Sequence, residues 1–207
     1  MEFHQSTLAA YQQAAAKYLQ RSPRHQSPAY ERFLETVLSE VAGSAVAGEP
    51  SVLELGSGPG LDADFFESRG LSVLRTDATP AFLDRLRAQG HRAELLDVLL
   101  EELGGPYDLV FANAVLLHLP PEQLAAVLSK IRRAVPLDGI FAFTVKEGDG
   151  EAWSTDKLEL PRYFAYWREP ALRVMLAETG WNVFSLDHIQ GRVEDWLYVI
   201  CRPSPPG

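Results

Sequence analysis

The sequence predicts an α/β fold, with a mostly parallel sheet and helices on both of its faces. A short apolar strand pattern at residues 52–55 runs into a turn of alternating glycines and then into a helical pattern. Strand and helix patterns alternate after this turn, which is typical of βαβ units in a parallel sheet. The last two strand patterns, residues 181–186 and 195–201, are joined by a loop too short for a crossover helix, so they must pair antiparallel.

The other elements follow from the same periodicities. Two helical patterns precede the glycine turn, and the second begins at Ser27 and Pro28, which suit an N-cap and a first turn, and ends at Gly43. Thr79 and Pro80 open a later helix that ends at Gly90. The further predicted strands are residues 71–76, 92–96, 106–113 and 140–146, and the further predicted helices are residues 61–67, 121–133 and 172–179.

Length and net charge limit the number of domains and the kinds of partner that the chain can have. The 207 residues are enough for one substantial core and few for two, so a single domain is expected over residues 1–207. A net charge of −9 argues against a broad phosphate-binding surface, and therefore against nucleic acid as a partner.

Cysteine content and hydropathy indicate the cellular compartment. Cys201 is the only cysteine, which excludes an internal disulfide and a cysteine-based metal cluster. No apolar run reaches the roughly 20 residues that span a bilayer, and the polar start lacks the layout of a secretion signal. We expect a cytoplasmic monomer or homodimer, with no metal and no membrane partner.

The glycine turn is the first candidate binding element. Gly56, Gly58 and Gly60 remove side chains that would keep a ligand from the backbone, and the free N–H groups of the following helix favour an anionic ligand group. The dinucleotide fingerprint G-x-G-x-x-G needs a third glycine where Leu61 stands, so the match is G-x-G-x-G instead. An ordinary strand-to-helix turn is the alternative.

With Glu54 ahead of it, this turn resembles motif I of the class I S-adenosylmethionine (SAM) dependent methyltransferases, E/D-x-G-x-G-x-G. The stretch from Tyr107 to His118 resembles the motif IV region of that family, with Leu117 in place of the first histidine of a doublet. The resemblance covers nearly the whole chain. It implies a Rossmann-like, seven-stranded sheet of order 3-2-1-4-5-7-6, and methyl transfer from SAM, leaving S-adenosylhomocysteine (SAH), to an oxygen or nitrogen atom of a small molecule, with carbon as a further option.

Polar residues at the strand ends are the candidate cofactor contacts. Asp77 lies about twenty residues after the first glycine, where an acidic side chain commonly accepts hydrogen bonds from ribose hydroxyls. The resemblance places Asp97 and Val98 at the adenine, although a plain loop aspartate is an equal alternative, and it places a lid over the cofactor at the first helix. The full set of candidate cofactor contacts is Tyr11, Tyr18, Arg21, Glu54, Gly56, Ser57, Gly58, Gly60, Asp77, Ala78, Asp97, Val98, Asn113, Ala114 and His118.

His118 is the candidate general base, since the pKa of histidine lies near neutrality. The favoured alternative is a histidine hydrogen-bonded beside the cofactor. Glu147 and Asp149 are weaker candidates for the base.

Residues 147–170 are too aromatic for an idle linker and are predicted to form the substrate wall and lid. The candidate acceptor contacts, chosen for an aromatic or cationic acceptor, are Glu147, Trp153, Arg162, Tyr163, Tyr166 and Trp167. Aromatic residues that only seal the sheet edge are the alternative. The chain then divides into a helical cap (1–45), a cofactor-binding core (51–146), this insertion, a C-terminal helix and hairpin (171–201), and a tail (202–207) predicted to be disordered.

Two other function classes stay open. A non-catalytic module that binds SAM, a nucleotide or a partner protein would keep the same cofactor residues. An NAD(P)-dependent oxidoreductase shares the βαβ start, but Leu61 and the terminal hairpin count against it.

Overall fold

The structure, a computed structural model, describes residues 2–21, 27–43 and 49–205. The helices are α1 (Glu2–Arg21), α2 (Pro28–Ala42), α3 (Leu61–Glu67), α4 (Pro80–Ala88), α5 (Pro121–Ala134) and α6 (Glu169–Glu178), with a 3₁₀ turn at Leu116–His118. The strands are β1 (Ser51–Glu54), β2 (Ser72–Asp77), β3 (Ala93–Leu95), β4 (Leu109–Asn113), β5 (Ile140–Lys146), β6 (Glu151–Ser154), β7 (Arg162–Ala165), β8 (Trp181–Ile189) and β9 (Trp196–Pro203).

The main sheet has seven strands in the order β3-β2-β1-β4-β5-β9-β8. The first five are parallel, and β9 pairs antiparallel with both β5 and β8. Within this sheet β8 is the sixth strand along the chain and β9 the seventh, so the predicted order 3-2-1-4-5-7-6 and the predicted terminal hairpin are confirmed. Strands β6 and β7 form a separate two-stranded sheet inside the 147–170 insertion.

Both faces of the central strands are buried, which explains their nearly continuous apolar sequence. Along β5, Phe141, Phe143 and Val145 pack into the core on the α5 and α6 side. The alternate residues Ile140 and Ala142 pack into the core on the α2 and α3 side. This alternation specifies the register of neighbouring strands, because a slip of one residue would move the apolar side chains to the opposite face of the sheet.

The last strand is longer than the sequence predicts. Pro203 pairs with Trp181 and is buried, and Arg202 donates from Nη2 to Glu40 Oε2 at 2.7 Å. The predicted disorder of residues 202–207 is therefore wrong for 202–203, where strand pairing and an ion pair to α2 supply order that composition does not reveal. Residues 206–207, like 22–26 and 44–48, lie outside the described ranges.

Helix α1 is anchored at several points along its length. Thr7 Oγ1 accepts from the Tyr163 N–H at 3.0 Å, and Gln12 Oε1 accepts from the Ala81 N–H at 3.0 Å. The helix thus contacts both β7 and α4. Among the described ranges, no helix combines the length and apolarity needed to cross a bilayer.

Trp181 provides a test of how the terminal hairpin is held. It is 1 % exposed, packs against Phe141, and donates from its indole N–H to the Leu128 carbonyl at 3.1 Å. We expect Trp181→Ala to lower the free energy of unfolding by about 3–5 kcal/mol, because it leaves a large cavity in the core. Urea unfolding measures this, with Val174→Ala, at an exposed position of α6, as the matched control. A loss below about 1 kcal/mol would contradict the packing described.

Candidate active site

The glycine turn requires a left-handed backbone at its start and at its end. Gly56 has φ +65°, and a Cβ there would lie 2.5 Å from a methyl carbon of Val115. Gly60 has φ +82°, and a Cβ there would lie 2.6 Å from Arg75 Nη1. Gly58 also has a positive φ, +47°, but the nearest atoms to such a Cβ are 3.9 Å away. The backbone conformation therefore favours glycine at all three positions, and neighbouring protein atoms also exclude a side chain at the outer two.

Asp77 ties this turn to the end of β2. Its Oδ2 accepts from the Gly58 N–H at 2.9 Å, and its Oδ1 accepts from the Thr79 N–H at 2.7 Å. Burial raises the pKa of the Asp77 carboxyl above its ordinary value, against these hydrogen bonds. The side chain is thus held in one orientation at the carboxyl end of the sheet.

A cavity lies between α1 and the carboxyl ends of β1 to β4, and we name it the glycine-turn cavity. It brings together most of the predicted cofactor contacts. Those on its wall are Tyr11, Tyr18, Gly56, Gly58, Asp77, Ala78, Val98, Asn113, Ala114 and His118. Ser57 lines a neighbouring cavity that extends from the same turn along α3.

A buried acidic pair lies behind the turn. Glu54 is 2 % exposed, and Asp62 of α3 accepts from Asn113 Nδ2 at 3.0 Å. Burial, together with the charge of Asp62, raises the pKa of Glu54 to about 8, and Glu54 Oε2 has no hydrogen-bond partner among the described residues. Asp62 lines the cavity along α3, whereas Glu54 lies one layer deeper. Two close carboxylates favour a cationic ligand group.

Four predicted cofactor contacts do not line these walls, namely Arg21, Glu54, Gly60 and Asp97. Asp97 is held by His4, whose Nε2 lies 2.8 Å from Oδ2, and by the Leu99 N–H. Although burial opposes it, these hydrogen bonds keep the pKa of Asp97 below its ordinary value. Arg21 donates to the Lys157 carbonyl at 2.7 Å and is exposed, so it ties α1 to the insertion. Gly60 caps α3.

His118 belongs to a chain of hydrogen bonds that joins α1 to β7. Its Nδ1 lies 2.7 Å from the Tyr163 carbonyl oxygen, which can only accept, so Nδ1 carries the proton. Nε2 then accepts from the Tyr11 hydroxyl at 2.9 Å, and that hydroxyl accepts from Arg162 Nη1 at 3.1 Å. Both ring nitrogens are therefore occupied by protein groups.

The electrostatics of His118 argue against a base. Burial, with the positive charges of Arg162 and Lys146 nearby, lowers the pKa of the imidazole to about 3. A group with so low a pKa is a weak proton acceptor at neutral pH. The geometry therefore favours the alternative weighed from the sequence, a histidine hydrogen-bonded beside the cofactor site. Glu147 and Asp149 pair with His188 and Arg168 outside the cavities.

A second cavity adjoins the first, and we name it the cationic cavity because Lys146, Lys157 and Arg162 line it. Lys146 is 5 % exposed; its Nζ lies 2.5 Å from Glu194 Oε1 and 3.5 Å from the centre of the Phe164 ring. Four residues, Tyr11, Tyr18, Ala114 and His118, line both cavities.

Five of the six predicted acceptor contacts do not line the cationic cavity; Arg162 is the exception. Side chains alternate along a strand, so Tyr163 points to the opposite face of β7 from Arg162. There Tyr163 stacks on Phe3 at 5.2 Å and meets Trp153 edge-on, so these rings fasten the start of α1. Trp167 packs in the core, Tyr166 donates to Glu194 at 3.2 Å, and Glu147 accepts from His188.

Sequence reasoning missed other residues of the two cavities. Phe164 shares the face of Arg162 on β7, and period-two alternation over 162–165 was a signal that could have found it. Lys146, at the carboxyl end of β5, could have been found in the same way as Asp77. Other missed residues gave no local signal, among them His4 and Thr7 in the glycine-turn cavity, Asp62 in the cavity along α3, and Lys157 and Glu194 in the cationic cavity.

Comparison with known proteins agrees with this geometry. Residues 53–141 match the family model described as a methyltransferase domain. An uncharacterized methyltransferase of Synechocystis sp. (strain ATCC 27184 / PCC 6803), sll0829, is 27 % identical over 164 residues, which cover 76 % of this chain and 69 % of that protein. Over residues 53–141 the chain is thus similar to methyltransferase domains. The resemblance to the class I SAM-dependent methyltransferases predicted from the sequence is confirmed.

Solved structures of methyltransferases share the fold of this chain. The 1,6-didemethyltoxoflavin-N1-methyltransferase of Burkholderia thailandensis, solved with 1,6-didemethyltoxoflavin and SAH, has a TM-score of 0.73 at 18 % identity, covering 96 % of this chain and 88 % of that one. Magnesium protoporphyrin IX methyltransferase of Synechocystis PCC 6803, solved with SAM, has a TM-score of 0.74 at 14 % identity. The match covers 99 % of this chain and 98 % of that one. The predicted Rossmann-like fold class is confirmed.

The pKa of His118 makes the stability of this protein depend on pH. The folded-state pKa of about 3 lies below the ordinary value of 6.5, so unfolding takes up a proton under acid conditions. Above about pH 6.5 the imidazole is neutral in both states, and the free energy of unfolding has its full value. It falls as pH decreases toward 3, by at most about 1.4 kcal/mol per pH unit, because only the unfolded state binds the proton.

We expect His118→Asn to remove this part of the slope, which urea unfolding at about pH 7 and pH 5 measures. NMR titration should find the His118 ring of the wild type neutral throughout that interval. His91→Asn, at the end of α4, is the control. A His118 ring that titrates near 6.5 would contradict the burial described.

Proposed function

We propose that this methyltransferase transfers the methyl group of SAM to an oxygen or nitrogen atom of a small molecule, and that the acceptor binds in the cationic cavity. One observation carries the proposal: the glycine-turn cavity and the cationic cavity share the walls formed by Tyr11, Tyr18, Ala114 and His118. A donor in one and an acceptor in the other would meet at these residues. The toxoflavin and protoporphyrin methyltransferases that share the fold also act on small molecules.

The residues of the glycine-turn cavity fit the parts of SAM. Asp77 would accept hydrogen bonds from the ribose hydroxyls, and Phe82, Leu96 and Val98 supply the apolar contact that an adenine ring needs. The acidic pair of Glu54 and Asp62 suits an ammonium group, since both carboxyls are buried and one oxygen of Glu54 is unpartnered. We therefore assign SAM to the glycine-turn cavity, with its ammonium group toward the adjoining cavity along α3, which Asp62 lines.

Positioning is the main work left to the protein. SAM supplies a methyl group activated by its positively charged sulfur: an acceptor lone pair forms the new bond to the methyl carbon as the carbon–sulfur bond breaks and its electrons stay on sulfur. Tyr11 and Tyr18 line both cavities, and aromatic rings suit a cation such as the sulfonium. Helix α1 covers the site and excludes water, and alignment of this kind contributes several kcal/mol.

His118 acts in this proposal as a positioning residue. It holds the Tyr11 hydroxyl from one side while Arg162 holds it from the other. A non-catalytic binding module would have no need of a second cavity beside the cofactor, and this is the observation that favours the enzyme over that alternative.

Asp77→Ala tests the cofactor assignment. We expect the affinity for SAH to fall by about 10–100-fold, because the ribose loses a charged acceptor and the Gly58 N–H loses its partner. Isothermal titration calorimetry measures this. Asp84→Ala removes an equally charged but exposed carboxylate from α4 and should bind SAH like the wild type. Unchanged affinity in Asp77→Ala, or binding of NAD(H) in preference to SAH, would contradict the proposal.

Glu54 provides a second test through proton release. With its pKa raised to about 8, the carboxyl is largely protonated at pH 7 in the free protein. An ammonium group bound beside Glu54 and Asp62 would stabilise the ionised form, so SAH binding at pH 7 should release up to about one proton.

The measurement is the SAH binding enthalpy in buffers of different ionisation enthalpy. Glu54→Gln should remove the buffer dependence, and Glu67→Gln, an acidic residue at the end of α3, should retain it. A wild-type enthalpy that does not vary with the buffer would contradict the assigned role of the acidic pair.

A further inference from the structure

Arg162 is a buried cation that forms no ion pair with the residues the structure describes. It is 6 % exposed, and its Nε has no hydrogen-bond partner among the described residues. Nη1 donates to the neutral Tyr11 hydroxyl, and the remaining neighbours of the guanidinium are the faces of the Tyr11 and Phe164 rings, 5.5 Å and 5.0 Å from it. Within the described ranges, no carboxylate lies within ion-pair distance of this guanidinium.

The other buried arginine shows how this chain ordinarily treats such a group. Arg75 is 1 % exposed, and its Nη2 lies 2.8 Å from Asp64 Oδ1 and 2.6 Å from Glu67 Oε2. A buried charge left unpaired is costly, so pairing of this kind is the rule in protein interiors. The protein therefore keeps the guanidinium of Arg162 in a state that an incoming anion would stabilise.

The wall around Arg162 is positive in a protein that is strongly negative. Lys146, Lys157 and Arg162 line the cationic cavity against the two carboxylates of Asp156 and Glu194. The chain as a whole has a net charge of −9. Burial lowers the pKa of Lys157 to about 8, and its Nζ lies 3.9 Å from the centre of the Tyr18 ring. A cationic acceptor, one of the two kinds considered from the sequence, would be repelled here.

Building on the proposed function, we propose that the methyl acceptor carries an oxyanion of the carboxylate or phosphate type, and that Arg162 binds this group in the cationic cavity. The planar guanidinium offers parallel N–H donors that match two oxygens of such a group. Lys146 adds positive charge, while Glu194 and the Phe164 ring hold its ammonium in place. The cavity volume of about 310 Å³ suits a small molecule.

The carboxylate of SAM is the competing partner for Arg162, and the cavity walls argue against it. Arg162 lines the cationic cavity but neither of the two cavities formed by the glycine turn. Lys157 lines the cavity along α3 as well as the cationic one, and is the cation better placed for the cofactor. Arg162 therefore determines acceptor specificity.

Four probes with one ring and different charges test this: benzoate, phenylphosphonate, benzamide and benzylamine, each titrated into SAH-saturated protein. We expect at least one anion to bind about tenfold or more tightly than neutral benzamide, and benzylamine to bind more weakly still. The stronger of the two anions identifies the carboxylate or the phosphate type.

Variants at Arg162 test whether this side chain causes the preference for an anionic probe. Arg162→Gln should lower the affinity of the preferred anion by about 10–100-fold, and Arg162→Lys should retain part of it. SAH affinity should fall much less than anion affinity in both, because Arg162 reaches the wall of the glycine-turn cavity only through the Tyr11 hydroxyl. Arg133→Gln, which removes an exposed arginine from α5, should match the wild type in every titration.

Three results would overturn the proposal. One is an anion affinity no higher than that of benzamide in wild-type protein saturated with SAH. Another is loss of SAH affinity in Arg162→Gln, which would assign Arg162 to the cofactor. The third is anion affinity that survives in Arg162→Gln. Failure of the proposed function has a separate signature, because wild-type protein would then not bind SAH at all.

Discussion

The hydrogen bond from the Gly58 N–H to the Asp77 carboxylate is the constraint on which both cavities depend. It joins the turn after β1 to the end of β2, and two bonds between Ser57 and Thr76 reinforce the connection. The turn can then present an amide-lined surface to a ligand and still begin α3 at Gly60. Every strand end that lines a cavity is positioned relative to this junction, since the parallel register transmits it across the sheet.

Charge is divided between the two halves of the site. Acidic groups, namely Glu54, Asp62 and Asp77, surround the glycine turn, while basic groups gather where β5 meets the insertion. The division suits a reaction in which a positively charged donor approaches an electron-rich acceptor, because each half stabilises the opposite charge in a medium with little water. Burial is the main cause of the low pKa of His118, and the positive charges of Arg162 and Lys146 lower it further.

The sequence could predict what local patterns determine. The glycine spacing, the strand alternation and the position of Asp77 indicated the parallel units, the terminal hairpin and most of the glycine-turn cavity, while the sheet order came from the family resemblance. The aromatic residues predicted to contact the acceptor do not line the cationic cavity, because composition does not tell which face of a strand a residue occupies: Arg162 and Tyr163 are adjacent yet point in opposite directions. Arg202 and Pro203 are ordered, and His4 pairs with Asp97, through contacts between residues far apart in the sequence. A single sequence contains no signal for such contacts.

The insertion is structurally independent of the main sheet in one respect: β6 and β7 pair with each other and with no strand of the seven. A change in this hairpin therefore leaves every register in the core intact. The segment between the end of β5 and the start of α6, which forms the wall that selects the acceptor, can therefore be replaced as a unit by evolution or protein engineering. Tyr11 sets the limit of that freedom, since a new hairpin must still meet the same hydroxyl on α1.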